Sequence, residues 1–241
     1  MKRLVGERRA IAATVLAFYG LMYTLVALSG GAGPMSKAIA ALGGVYLLAF
    51  FGIVAGYFWA RWYAVGVSLF GLIMGAIGLW QIGPILEVNI LVGAHLAAAL
   101  ALWGDSMSEL FDGQKGWREK LSMDEHSVTR LGNAVTRTGV SLPMILIWAL
   151  SPRAGSLAIA GAGMTMLAVA GLVRLRTWSV LAMVGAAGIV IGAVAVAPSM
   201  AMQPTVYPGP SGAPLAVFGA GLLLAGALPF FGPIRRYFRS V

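Results

Sequence analysis

The sequence predicts an all-α, polytopic integral membrane helical bundle with about eight transmembrane helices, arranged as two parallel four-helix repeats. Three observations predict it. Of 241 residues, 59% are hydrophobic and only 10% are charged, well under the quarter that soluble domains carry. The apolar residues fall in eight runs of roughly spanning length, where a crossing helix needs about 20 residues. The runs are continuous rather than alternating, which selects helices over a β-barrel.

The runs cover 10–29, 37–59, 62–80, 84–103, 134–150, 154–173, 177–197 and 212–232. Glycine, proline and serine clusters separate them, as at Ser29-Gly30-Gly31-Ala32-Gly33-Pro34 and Ile82-Gly83-Pro84. The first run follows Lys2, Arg3, Arg8 and Arg9 and ends Ala27-Leu28-Ser29, a signal-peptide-like pattern. Its near-spanning length and its place in the repeat favour an uncleaved helix.

Charge sets the topology. Lys and Arg number 17 against 8 Asp and Glu, a net charge of +9. With the N-terminus inside, only Lys37 and Arg153 fall outside, and the other fifteen of the 17 basic residues face the cytoplasm. Both termini are therefore expected inside, in a bacterial inner membrane. The basic excess is a topology signal and calls for no nucleic-acid partner; the expected partners are the lipid bilayer and other membrane subunits, or a second copy of the chain.

The halves resemble each other. Ser36-Lys37-Ala38-Ile39-Ala40-Ala41-Leu42-Gly43 parallels Ser156-Leu157-Ala158-Ile159-Ala160-Gly161-Ala162-Gly163 at an offset of 120. Arg61-Trp62 parallels Arg176-Thr177-Trp178, Gly71-x3-Gly75 parallels Gly188-x3-Gly192, and Pro84 parallels Pro214. The resulting organisation is a first repeat at 1–103, a charged cytoplasmic linker at 104–133 and a second repeat at 134–241. Four helices per unit bring each unit back to the cytoplasm, so the repeats run parallel about an axis along the membrane normal. Ser106-x-x-Glu109 and Ser122-x-x-Glu125 in the linker are capping-box patterns that predict helix starts.

Small residues predict packing. Gly52-x3-Gly56, Gly71-x3-Gly75 and Gly188-x3-Gly192 each place two glycines on one helix face, where backbones approach closely. Pro143 removes the hydrogen bond to the Gly139 carbonyl and predicts a kink in the fifth span. Tyr57, Trp59, Trp62, Tyr63, Trp103 and Trp178 read as an inner aromatic belt, and Trp80, Trp148 and Tyr207 as an outer one.

Chemistry is sparse. Cysteine is absent, which excludes disulfides, thiolate metal sites and Cys nucleophiles. Met164-x-Met166 and Met200-x-Met202 lack the His or Cys that a copper site would add, and read as packing. Haem would need two intramembrane histidines, but only His95 lies in a span, with His126 in the linker. No metal, cofactor or enzyme motif is expected. The notable set of polar residues within a span is Glu87, Asn89 and His95 in the fourth, which forms the candidate site because polar groups in lipid are costly. Glu87 and His95 fall about 12 Å apart along the axis on broadly one side; Asn89 points away and suits an interhelical bond. The second repeat places Val217, Gly219 and Ala225 at the matching positions. The leading functional expectation is a non-enzymatic structural or accessory subunit of a membrane complex. The alternative is a small-molecule or ion transporter using the polar residues of the fourth span.

Overall fold

The computed structural model describes residues 4–112, 124–152, 154–196 and 212–240, with side chains through 232 in the last stretch. The regular structure of the described residues is all helical, without strands: α1 (Val5–Leu28), α2 (Ser36–Ala55), α3 (Ala60–Ile82), α4 (Leu86–Ala101), α5 (Asp105–Leu110), α6 (Glu125–Ala149), α7 (Ser156–Val173), α8 (Trp178–Val196) and α9 (Gly212–Ser240). A short 3-10 turn, Gly33–Met35, leads into α2. The linker pattern at Ser122, the Met200–Met202 pair and Tyr207 lie outside the described residues.

Six helical segments are long and apolar enough to cross a membrane: Val5–Leu28, Gly33–Ala55, Ala60–Ile82, Ser156–Val173, Trp178–Val196 and Gly212–Gly232. Two of the eight expected spans fall short of that standard for different reasons. Helix α4 has 16 residues, about 24 Å at 1.5 Å per residue against a hydrocarbon core of about 30 Å. It is trimmed by positive-φ Gly83 and extended Ile85 before it, and by positive-φ Gly104 after it. Helix α6 has 25 residues, but Glu125, Arg130 and Arg137 interrupt its first half.

The chain divides into two compact units, Met1–Asp124 and Glu125–Val241. The stretch 104–133 is therefore shared: α5 belongs to the first unit and the start of α6 to the second. In the first, α1 packs on α2 and α4, and α3 packs on α2 and α4, closing a four-helix ring. In the second, α6, α7, α8 and α9 close a ring in the same order.

Glycines set the closest approaches. A Cβ on Gly20 would lie 2.9 Å from Leu47 Cδ2, and one on Gly43 would lie 2.5 Å from Thr24 Oγ1, so α1 and α2 meet almost backbone to backbone. Between α3 and α4, Gly71, Gly75 and Gly78 receive His95, Val92 and Val88 in turn. In the second unit, Gly212, Gly219 and Gly226 recur every seventh residue along α9. Their neighbours on α6 are Trp148, then Ile145 with Ser141, then Ala134. This order makes α6 and α9 antiparallel. Gly188 and Gly192 do not behave like Gly71 and Gly75: a Cβ on either would meet nothing within 4 Å.

The turns α2–α3 and α7–α8 are built alike. Gly56 and Leu175 both take left-handed conformations, φ 73° and 56°. The amide after each returns to the carbonyl five residues back, Tyr57 to Gly52 at 3.2 Å and Arg176 to Gly171 at 2.8 Å, the bonding of a Schellman C-cap. Gly52 then seats the Trp59 ring and Ala60, as Gly171 seats the Trp178 ring and Ser179. Each corresponding pair differs by 119 in number, which aligns Trp178 with Trp59 rather than with Trp62. Gly56 is thus a helix cap, not the second half of a packing face with Gly52. Helix α6 runs on through Pro143 to Ala149. Gly139 and Pro143 are both buried, and the carbonyl of Gly139 lacks its usual donor four residues on.

Candidate functional site

The candidate site is a buried cluster in the first unit, formed by Tyr19 and Tyr23 of α1, Tyr46 of α2 and His95 of α4. Tyr19 and Tyr23 stand one turn apart on one face of α1. The close α1–α2 approach through Gly20 and Gly43 brings both to Tyr46, with ring centroids at 5.9 Å and 5.4 Å. His95 enters from α4 over Gly71, where a Cβ would lie 2.0 Å from the imidazole Cδ2. The Tyr19 ring covers it at 4.5 Å. His95 and Tyr46 are each 0% exposed.

Hydrogen bonding fixes the state of this histidine. Nδ1 is 2.7 Å from the Leu91 carbonyl, which only accepts, so Nδ1 carries the proton and donates. Neutral Nε2 then accepts from the Tyr46 hydroxyl at 2.7 Å. Both ring nitrogens are engaged, and no lone pair of the imidazole faces an open coordination position. The cluster joins α1, α2, α3 and α4 through one imidazole.

The other two expected site residues lie elsewhere. Glu87 is exposed in the first turn of α4. Asn89 does not bridge helices; its Nδ2 donates back to the Pro84 carbonyl at 3.1 Å and closes the start of its own helix. The trio is therefore not brought together. Tyr19, Tyr23 and Tyr46 escaped sequence reading, although hydroxyls in mid-span and the Tyr19-x3-Tyr23 spacing were the available signal.

The aromatic belt also needs correction. Trp59, Trp62 and Tyr63 are buried. Tyr57, Trp80, Trp103 and Trp178 are exposed, and Trp148 is half-buried. Met164 is half-buried and Met166 exposed. No group of three His, Cys, Asp or Glu that could hold a metal occurs among the described residues.

One end of the first unit is held by arginines. Helix ends leave four carbonyls without backbone donors. Arg8 donates to the Ala101 carbonyl at 3.0 Å, to the Trp103 carbonyl and to Ser106 Oγ at 3.1 Å. Arg9 donates to the Ile53 and Val54 carbonyls at 3.1 Å and 2.6 Å, and its guanidinium lies over the Phe111 ring. Arg61 forms a two-pronged ion pair with Asp112 at 2.6 Å and 2.8 Å, to which Ser108 adds a hydroxyl at 2.7 Å. Helix α5 does form across the Ser106-x-x-Glu109 pattern, but Gly104 takes the cap position and no side chain caps it. Ser106 serves Arg8 instead.

No protein-family model, curated protein or solved structure matches the chain.

Proposed function

We propose that this chain is an integral membrane protein acting as a non-enzymatic structural or accessory subunit of a membrane complex. The observation that carries this reading is His95. It is the fully buried histidine of the first unit, and its two nitrogens are engaged by Leu91 and Tyr46. The imidazole is thus spent on joining α4 to α2, the use expected of polar groups between transmembrane helices.

Eight crossings, both termini in the cytoplasm and a bacterial inner membrane belong to the same reading, supported by the charge distribution of the loops. Duplication of a four-helix unit is supported by the like-built turns at Gly52–Ala60 and Gly171–Ser179 and by the common ring order. Partners are lipid and other membrane subunits, or a second copy.

Transport of a small molecule or ion is the second reading, favoured by one observation: an ionisable imidazole bonded to a tyrosine hydroxyl midway along the helices. Purification in mild detergent separates the two. A stoichiometric partner that stays bound with His95→Gln supports the subunit. A chain recovered without any partner, with a flux in reconstituted vesicles that Glu87→Gln and His95→Gln abolish while folding holds, sinks the subunit reading.

A further inference from the structure

Pro229 has no amide proton, so the Ala225 carbonyl, four residues earlier in α9, lacks its helical donor. Arg137 of α6 fills the gap: its Nη1 donates to that carbonyl. This is the hydrogen bond the structure gives Arg137 among the described residues. A guanidinium has five donors, and a neutral carbonyl occupies one.

The position of this cation is unusual. The apolar stretch of α9 ends at Gly232, so the Ala225 level lies seven residues inside it, about 10 Å at 1.5 Å per residue. Arg137 is half-buried there. An arginine at such depth is costly and pairs with an acid or lines a polar cavity. The second unit offers it little: residues 126–241 contain eight arginines and no Asp or Glu. Its one acid, Glu125, stands twelve residues away on the same helix, about 18 Å along the axis. The first unit meets the same need internally, with Asp112 against Arg61.

We propose that Arg137, held in place by the carbonyl that Pro229 strands, anchors a phosphate-binding site at the Gly232 end of the second unit. A phosphate group matches the planar fork of donors that remains. The group comes from a lipid headgroup or from a free phosphate anion. Arg130, one to two turns nearer the start of α6, adds to the field but lacks the buried tether.

The test uses the full chain purified in zwitterionic detergent. Thermal midpoints are measured against inorganic phosphate, and against micelles doped with phosphatidylglycerol or phosphatidylcholine; retained lipid is read by native mass spectrometry. The wild type is expected to be stabilised by a phosphate-bearing probe, and Arg137→Gln to weaken that binding about tenfold or more. Arg130→Gln retains most of it. Stabilisation by inorganic phosphate identifies a soluble anion; stabilisation by phosphatidylglycerol alone identifies the lipid. If Arg137→Gln does not fold, Arg137→Lys keeps the charge and loses the fork, and the same weakening is expected. No stabilisation of the wild type by any of these probes, or equal stabilisation in the Arg137 variant, overturns the proposal.

Discussion

The Tyr46 hydroxyl donates to His95 Nε2 at 2.7 Å, in a place that water does not reach. Leu91 holds the other nitrogen, and the Tyr46 hydroxyl is the donor that the structure gives Nε2. Tyr46→Phe leaves Nε2 buried and unsatisfied, which costs about 1–3 kcal/mol. The thermal midpoint in detergent is expected to fall by several degrees. Adding His95→Leu removes the orphaned nitrogen, so the double variant loses less than the two single losses combined. A Tyr46→Phe protein as stable as wild type would remove this bond from the account of the bundle.

Gly71 and Gly188 are expected to diverge on substitution. A methyl at Gly71 would sit 2.0 Å from His95 Cδ2, so Gly71→Ala must push α4 away or turn the imidazole out. Overpacking of this kind costs about 1–3 kcal/mol. Gly188→Ala meets nothing and gains helix propensity of about 0.5–1 kcal/mol. Paired melting curves decide it, and equal effects at both positions would count against the packing described.

Much of the architecture is legible along the chain because apolar run length decides it. Each of the eight runs holds a described helix, and Gly83-Pro84 marks the start of α4 as written. What the runs leave open is rotation. Whether His95 faces Tyr46 or lipid depends on which side of α4 meets Gly71, and that follows from the summed packing of four helices. Glu87 reads as a site residue because it is an acid near an apolar run, yet it ends exposed in the first turn of a helix too short to carry it inward. Gly188 and Gly192 repeat the spacing of Gly71 and Gly75 but lack a facing helix. The stranded Ala225 carbonyl is readable from Pro229; that Arg137 fills it is not, since 88 residues separate donor from acceptor.

Asp112 is expected to control α5. Its carboxylate takes two bonds from Arg61 and one from Ser108, with Arg61 and Asp112 side chains 17% and 5% exposed. Removing one partner of an ion pair this enclosed leaves the other charge uncompensated, at a cost of about 1–3 kcal/mol. Asp112→Ala should therefore speed amide hydrogen exchange in residues 105–110 while exchange in mid-α3 stays slow. Unchanged protection of α5 would mean that Arg8, through Ser106, suffices to hold it.

Leu175 carries the strain that Gly56 avoids. Both occupy the left-handed cap of a helix–turn–helix with the same bonds, but only Leu175 brings a Cβ to φ 56°. A left-handed L-residue costs about 1–2 kcal/mol, while the half-buried leucine side chain offsets part of that. Leu175→Gly is expected to leave stability unchanged or raise it by up to about 1 kcal/mol. Gly56→Leu should lower it by about 1–2 kcal/mol, since nothing at that turn was built to receive the side chain. The opposite signs are the prediction, read as shifts in thermal midpoint. If Leu175→Gly were the more damaging change, the leucine would be a packing residue and the two turns alike in backbone only.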